Sequence, residues 1–363
     1  MILKKHFDYV GEIAQIGGMK RYQLMSGKAK GVEAIDVDNG SGLLFTVLPD
    51  RGLDIHRLCF KGIPVSFLSK TGIVAPTYYN DHGDEWLRSF SGGFLTTCGL
   101  TQVGEPCTQD GHDLGLHGSV SNTPAEQVSL FSDWVADSYV LRITGQVRQA
   151  KVHHENLLLK RSITTVLGND EIILEDEIIN QGDKPEPFMI LYHINFGYPF
   201  LSPESDIVIP SKRISGWDPL SDANPDMHLQ IGEPAPDPAE LTWFHQMTPD
   251  QDGLAHFMLA NRKENPDIAV SVQYDGRILD NLVQWRCLHK HEYVMALEPC
   301  NNQVKGQAFE RSHGDLKWIE PGERVALRLQ FKFLSESNAI KAEKAALMQE
   351  KAGLHFSGSG ESR

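Results

Sequence analysis

Apolar and polar positions alternate along this chain in many short runs, the pattern typical of β-strands. Clusters of Gly, Asn and Asp, such as 38–42 and 168–170, separate neighbouring runs and predict tight turns between antiparallel strands. The predicted strands cover residues 31–37, 43–48, 57–60, 63–67, 139–147, 157–166, 171–180, 188–195, 268–274, 282–287, 293–297 and 324–333. The pattern predicts an all-β fold of antiparallel sheets, either a large sandwich or a barrel.

Strand patterning continues on both sides of the proline-rich segment 232–238, which is therefore interpreted as a surface loop within one domain. That single domain is predicted to cover residues 1–335. Helix-forming composition predicts a short C-terminal helix over 336–352. The Gly- and Ser-rich residues 353–363 are predicted to form a flexible tail.

The composition narrows the classes of partner. The 363 residues carry a net charge of −14, without a basic stripe, which argues against nucleic acids and anionic membrane surfaces as partners. A small neutral ligand fits this charge better. Neither a signal peptide nor an apolar run of eighteen residues is found, and the five cysteines are scattered, so a cytoplasmic location is expected. The sequence leaves the oligomeric state open.

Two titratable residues lie in apolar strands about a hundred residues apart. In the predicted strand 188–195, His193 shares a face with Met189 and Leu191, and both faces are apolar. Glu298 ends the apolar run 293–297. Burial lowers the pKa of a histidine and raises that of a carboxyl, which brings both groups toward neutrality and makes them candidates for proton transfer. The alternatives are a histidine satisfied within the core and a carboxylate facing water at a strand end.

Three local motifs, in order, resemble the aldose 1-epimerase (galactose mutarotase-like) superfamily. They are Leu116-His117-Gly118, Tyr192-His193-Ile194-Asn195-Phe196 and Leu297-Glu298-Pro299. The resemblance covers roughly residues 20–335 and points to an uncharacterised branch. It implies a β-supersandwich with the site on the concave face of a large sheet. It also implies catalytic roles for His193 and Glu298 and substrate binding by His117. Asn195, in the motif that contains His193, is a further substrate-binding candidate.

The chain departs from the family pattern at two positions. Residues 92–102, where the family has a substrate-binding arginine, contain none, so Arg51 or Arg88 is a candidate to supply the cation. The family's sugar-binding aspartate has no clear match in the comparable segment 253–257, although Asp252 is nearby. Arg51 is equally explained by pairing with a neighbouring aspartate. These departures leave the identity of the sugar open.

The resemblance implies a mutarotase or related carbohydrate epimerase, which interconverts anomers by opening and reclosing a cyclic hemiacetal. Glu298 is expected to act as the base and His193 as the acid, with no cofactor and no metal; the paired histidines, such as His289 with His291, are interpreted as loop residues. One alternative is a non-catalytic carbohydrate-binding protein of the same fold. A glycosidase or lyase is another, and would need a second carboxylate such as Asp218 or Asp280.

Overall fold

Antiparallel β-sheets make up most of the fold, as the alternating sequence pattern predicts. The computed structural model describes residues 4–261 and 267–351, so the predicted tail 353–363 lies outside the described residues. In chain order the strands are β1 (Gly18–Gln23), β2 (Glu33–Asp38), β3 (Leu43–Leu48), β4 (Asp54–Phe60), β5 (Ile63–Pro64), β6 (Phe67–Leu68), β7 (Gly92–Gly93), β8 (Leu95–Leu100), β9 (Cys107–Gln109), β10 (His112–Leu114), β11 (Glu126–Val135), β12 (Ser138–Ala150), β13 (Asn156–Val166), β14 (Glu171–Asn180), β15 (Glu186–Pro187), β16 (Met189–Gly197), β17 (Ser205–Val208), β18 (Ser211–Gly216), β19 (Leu241–Met247), β20 (Leu254–Asn261), β21 (Ile268–Asp275), β22 (Asn281–His289), β23 (Glu292–Cys300), β24 (Trp318–Ile319) and β25 (Arg324–Leu334).

Helices are short and few among the described residues. The α-helices are α1 (Pro219–Asp222), α2 (Gln307–His313) and α3 (Ser337–Lys351). Short 3₁₀ helices cover Lys4–Tyr9, Ile13–Gln15, Gly27–Ala29, Pro76–Tyr78, Glu85–Arg88, Val120–Asn122 and Pro225–Leu229. Helix α3 lies within the predicted span 336–352 and buries Ile340 and Leu347 against an apolar cluster that includes Val208 and Met258. No helix in the described ranges has the length and apolar character needed to cross a membrane.

Three large sheets form the framework. Their strand orders are β1-β2-β3-β4-β5, β11-β12-β13-β14-β25-β21-β20-β17 and β18-β19-β22-β23-β16-β8. The ladders between these strands are antiparallel, including the predicted hairpin of β2 and β3. The proline-rich segment 232–238 runs between β18 and β19, which are adjacent strands of the six-stranded sheet.

The two faces of the six-stranded sheet pack against different partners, because successive side chains of a strand point to opposite sides. From β16, Ile190 and Tyr192 join the main core, which also contains residues of the eight-stranded sheet such as Phe331. Met189 and Leu191 join a second cluster with Trp86 and other residues on the opposite face. All nine residues of β16 are buried, which confirms the expectation that neither face of this strand is solvated.

A buried ionic cluster joins the sheets behind β16. The Arg161 guanidinium donates to both carboxylate oxygens of Asp176, at 2.7 and 2.8 Å, and to Asp54 Oδ1 at 2.6 Å. Thr97 Oγ1 and the Tyr192 hydroxyl complete the network, since Thr97 hydrogen-bonds Asp54 and Tyr192 hydrogen-bonds Asp176. These five residues come from strands of all three large sheets, so the cluster fixes β16 from the side opposite His193.

Candidate active site

Strand register brings His193 and Glu298 together. Strands β16 and β23 are antiparallel neighbours, and Leu191 pairs with Cys300 while Ile194 pairs with Leu297. This register places His193 directly opposite Glu298. Both side chains point to the face that carries the second apolar cluster, and His193 Nε2 lies 3.2 Å from Glu298 Oε1. The juxtaposition on which the sequence interpretation depends is therefore present.

Burial controls the ionisation of this pair. The side chains of His193 and Glu298 are 6% and 3% exposed. Desolvation, with a smaller contribution from the neighbouring His117, lowers the pKa of His193 to about 3. Burial also raises the pKa of Glu298 well above its ordinary value. At neutral pH the pair therefore favours a protonated Glu298 beside an unprotonated His193, and together they hold one transferable proton.

Each member of the pair leaves a polar atom unsatisfied. His193 Nδ1 and Glu298 Oε1 have no hydrogen-bond partner within the described part of the chain. The 3.2 Å contact between His193 Nε2 and Glu298 Oε1 does not meet hydrogen-bond geometry. An unsatisfied buried polar group costs about 1–3 kcal/mol of stability. Unsatisfied groups of this kind are available to a ligand or a reaction.

His117 is held beside the pair as a hydrogen-bond donor. Its ring centroid is 6.0 Å from that of His193. Gly104 N–H donates to His117 Nδ1 at 3.3 Å, and burial lowers the pKa of His117 to about 4, so the neutral ring carries its proton on Nε2. His117 adopts a φ of 59°, in the left-handed region that non-glycine residues rarely occupy. Gly118 follows at φ 71°, where a Cβ would lie 2.5 Å from the Gly99 carbonyl oxygen, so only glycine fits there.

Aromatic rings surround the histidine. The ring centroids of Phe90 and Trp285 lie 5.3 and 5.7 Å from that of His193, and Trp86 lies 4.8 Å from His117. Trp285 and Phe244 belong to the same sheet face as Glu298 and are only partly buried. Apolar walls of this kind keep water away from the pair and offer flat surfaces for a ligand. Phe90 and Trp86 come from the segment before β7 and were not predicted, because they carry no local signal of their position.

The two arginine candidates are engaged elsewhere. Arg51 is buried and donates to three main-chain carbonyls, those of Ser121, Val74 and Ser89, at 2.7–2.8 Å. This arrangement braces the loops beneath the site, and it differs from the expected pairing with a neighbouring aspartate. Arg88 is exposed, and its Nε lies 2.6 Å from Glu85 Oε2. Their binding of substrate stays a prediction.

Asn195, two residues beyond His193 in β16, also bonds to main chain. Its Nδ2 donates to the carbonyls of Gly93 and His193, each at 3.0 Å. Its Oδ1 has no hydrogen-bond partner within the described part of the chain. Asn195 therefore stabilises the strand that presents His193, and its contact with substrate likewise remains a prediction.

The candidates for a further acidic residue of the site lie in other surroundings. The segment 253–257 contributes to β20 of the eight-stranded sheet, so it belongs to a different sheet from the His193–Glu298 pair. Asp218 caps α1 by accepting from Ser221 N–H at 2.7 Å, and Asp280 lies 2.7 Å from Lys317 Nζ. Glu240, which the sequence interpretation missed, accepts from Trp285 Nε1 at 3.3 Å and brings a carboxylate to the wall of the site.

Cavity size does not identify this site. A cavity of about 650 Å³ lies against the eight-stranded sheet, with Lys160, Glu177 and Arg328 in its lining, and includes neither His193 nor Glu298. Two neighbouring side chains with shifted pKa values, His193 and Glu298, identify the candidate site better than cavity volume does, because they can transfer protons. Among the described residues, no group of three or more His, Cys, Asp or Glu side chains is arranged to hold a metal ion.

The raised pKa of Glu298 predicts a pH-dependent gain of stability when this residue becomes glutamine. Below its ordinary pKa of 4.5, Glu298 is protonated in both the folded and the unfolded chain. Above that pH the unfolded chain releases the proton while the folded protein retains it, which favours unfolding. Glu298→Gln removes this cost, so we expect the variant to be more stable than the parent at pH 8 by about 0.5–2 kcal/mol, with the difference shrinking toward pH 5.

Urea unfolding at the two pH values measures this difference. Glu126→Gln is the matched control, because Glu126 is exposed on the edge strand β11 and its replacement should leave the pH profile unchanged. The quantity to compare is the free energy of unfolding of Glu298→Gln minus that of the parent. If this difference is smaller at pH 8 than at pH 5, a protonated buried Glu298 is contradicted.

Comparison with known proteins supports the fold. The family model described as a domain of unknown function, DUF4432, matches residues 29–333. A protein from Klebsiella pneumoniae subsp. pneumoniae MGH 78578, provisionally named an aldose 1-epimerase, superposes with a TM-score of 0.88 at 24% identity, over 98% of this chain and 92% of that one. A galactose mutarotase-like protein from Clostridium acetobutylicum gives a TM-score of 0.63 at 13% identity, over 89% and 100% of the two chains.

A galactose 1-epimerase from Lactobacillus acidophilus NCFM gives a TM-score of 0.57 at 12% identity, over 88% of this chain and 99% of that one. No protein of curated function matches the chain by sequence. The structural neighbours are thus aldose 1-epimerase and galactose mutarotase-like proteins, which confirms the fold expected from the three motifs. At these identities the likeness concerns the fold, and the names describe those proteins.

Proposed function

The chain belongs to the DUF4432 family, whose function is unknown, and from its fold and the geometry of its buried pair we propose that it is a sugar mutarotase. The proposed reaction interconverts the anomers of a reducing sugar by acid–base opening and reclosure of its ring. The observation that carries the proposal is the placement of His193 Nε2 3.2 Å from Glu298 Oε1, on facing strands of one sheet.

Mutarotation needs one group that accepts a proton and one that donates it. In the proposed cycle Glu298 removes the proton of the anomeric hydroxyl while His193 protonates the ring oxygen, and the bond from the anomeric carbon to the ring oxygen breaks. After rotation about the first carbon–carbon bond, the proton transfers run in reverse and close the ring on the other face. Each positioned transfer contributes about 10²–10⁴-fold to the rate, so the cycle proceeds without a cofactor.

The proton count of the buried pair suits this cycle. Burial favours the proton on Glu298, whereas the first step needs it on His193. Both arrangements hold the same single proton, so passing from one to the other needs no proton from solvent. Hydroxyl groups of a bound sugar stabilise the charged arrangement by hydrogen bonding, and the Nε2–H of His117 is available as a further donor to the ring oxygen or a neighbouring hydroxyl.

The competing functions differ in what they require of the site. A non-catalytic carbohydrate-binding protein would use the aromatic walls but would not need an unsatisfied acid and base in contact. A glycosidase normally needs two carboxylates that flank the scissile bond. Asp218 caps a helix and Asp280 pairs with Lys317, while Glu240 at the wall of the site accepts from Trp285 Nε1. The mutarotase is therefore the function that the pair supports best.

Saturation-transfer NMR on a panel of reducing sugars tests the proposal. We expect exchange between the two anomeric resonances of at least one sugar to accelerate in proportion to protein concentration, above the rate in buffer alone. Sugar signals that broaden or shift without faster exchange would instead identify a binding protein. Release of a free sugar from a glycoside would identify a hydrolase.

A further inference from the structure

We propose that the sugar carries an anionic group, a carboxylate or a phosphate, which pairs with the ammonium of Lys305. This inference rests on the mutarotase proposal and specifies its substrate class. Lys305 lies in the turn between β23, the strand of Glu298, and α2. Its Nζ is 5.6 Å from the centroid of the Trp217 ring and 5.2 Å from that of Phe309.

The backbone around Lys305 is fixed next to His117. Lys305 forms an isolated bridge with Gly104, the residue whose N–H donates to His117 Nδ1. His117 N–H in turn donates to the Gly104 carbonyl at 3.0 Å. At Gly104, φ is 86° and a Cβ would lie 2.0 Å from the Val304 carbonyl oxygen, so the two loops are in direct main-chain contact. A cation on so closely packed a loop is well placed to hold a ligand group in one position.

The Lys305 ammonium lies on the same side of the six-stranded sheet as the catalytic pair. Trp217 N–H donates to the carbonyl of Thr242, whose strand neighbour is Trp285. Because side chains opposite one another across a sheet share a face, Trp217 and Trp285 both point to the side of Glu298. Lys305 therefore links the His117 loop, through its contact with Trp217, to the side of the sheet that carries Trp285 and Phe244.

Lys305 differs from the other basic residues of this region because no carboxylate of the described residues lies within 4.0 Å of its Nζ. Arg88, Lys70, Arg311 and Lys317 are each paired with an acidic side chain. The Arg51 guanidinium donates its hydrogen bonds to main-chain carbonyls. In a chain of net charge −14, a cation that contacts aromatic rings and pairs with no carboxylate of the described residues attracts a ligand of opposite charge.

The cation–π contacts do not neutralise this charge. Two aromatic faces hold the ammonium in place and partly remove it from water, which strengthens its attraction to an anion. Lys305 thus provides the cation that the sequence comparison found missing, from a position with no counterpart in the three motifs. A carboxylate or phosphate at the end of the sugar remote from the anomeric carbon has the required chemistry.

Kinetics on matched sugars test the inference. Anomer exchange is measured with glucose, glucuronate and glucose 6-phosphate, and with galactose, galacturonate and galactose 6-phosphate. We expect the preferred charged sugar to have a KM about tenfold below that of its neutral parent, the effect of one charged hydrogen bond. Lys305→Met should raise that KM about tenfold while leaving kcat and the neutral sugar unchanged, and Lys305→Arg should restore it. The charged sugar whose KM rises more in Lys305→Met, the uronate or the sugar phosphate, shows whether Lys305 binds a carboxylate or a phosphate.

Two controls complete the experiment. Lys212→Met removes an exposed cation from β18 of the same sheet and should change no KM. The advantage of the charged sugar should shrink as salt is raised. Equal KM values for charged and neutral sugars, or an equal effect of Lys305→Met on both, would overturn the inference while leaving the mutarotase intact. Tryptophan fluorescence measures sugar binding independently of anomer exchange. If a charged sugar binds in a Lys305-dependent way but its anomers do not exchange faster, only the proposed activity is refuted. If no charged sugar binds, the inference about Lys305 is refuted.

Discussion

Replacing Glu298 by glutamine, or His193 by asparagine, is expected to slow anomer exchange by about 10²–10⁴-fold. Either change removes one of the two proton-transfer groups but keeps a side chain of similar shape in the buried site. The loss should appear mainly in kcat, because the proton moves only during ring opening and closure. The measurement is the exchange rate of the preferred sugar by saturation-transfer NMR, at saturating and at low concentration.

A structural histidine on the opposite face of the same sheet provides the matched control. His245, in β19, is fully buried and hydrogen-bonds Ser211 and Gln284. His245→Asn should lower stability but leave kcat of the folded protein close to the parent value. Near-parental exchange in both Glu298→Gln and His193→Asn would reject the assignment of the pair.

The double variant makes the test sharper. If His193 and Glu298 act as one unit that shares a proton, removing both should cost little more than removing either alone. Independent roles would make the two losses multiply. Because the side chains are in contact, we expect the first outcome, and a multiplicative loss would show that the shared proton is not part of the mechanism.

The sequence predicted strands best where local pattern and tertiary environment agree. The predicted strand 171–180 is β14 with identical bounds, since its alternating residues meet a core on one side and solvent on the other. Strand β8 was missed because all six of its residues are buried, so its composition of Leu, Thr, Cys and Gly does not alternate. The edge strand β11 was missed for the opposite reason, since none of its ten positions is buried and polar residues occupy half of them.

The site could be predicted only as far as its residues lie in short motifs. The alternation along β16 placed His193 and Leu191 on one face correctly, and the order of the motifs paired His193 with Glu298. Lys305 could not be found in this way. Its neighbours Gly104 and Trp217 are far from it in the sequence, and only the main-chain contact between two loops brings them together. Arg51 bonds main-chain carbonyls instead of pairing with a neighbouring aspartate, an arrangement that has no sequence pattern of its own.

Arg161→Met is expected to destabilise the protein by about 3–5 kcal/mol, the usual cost of breaking a buried ion pair from one side. Methionine fills a similar volume but leaves the carboxylates of Asp54 and Asp176 without the guanidinium that compensates their charge. Both carboxylates are almost completely buried, so water cannot replace the lost partner. Urea unfolding at pH 7 measures the free energy of unfolding. Arg142→Met is the control, because Arg142 is exposed on the neighbouring β12, and its stability should stay within about 0.5 kcal/mol of the parent.

A compensated variant separates lost charge pairing from lost packing. In Arg161→Met combined with Asp54→Asn and Asp176→Asn, no ionised group of the cluster remains, and we expect a substantial part of the lost stability to return. Tyr192, which hydrogen-bonds Asp176, precedes His193 in β16, so this cluster also determines how firmly the strand of His193 is held. A loss below about 1 kcal/mol in Arg161→Met would mean that water or a rearranged side chain compensates the two carboxylates, and that the strand of His193 is held chiefly by its apolar contacts.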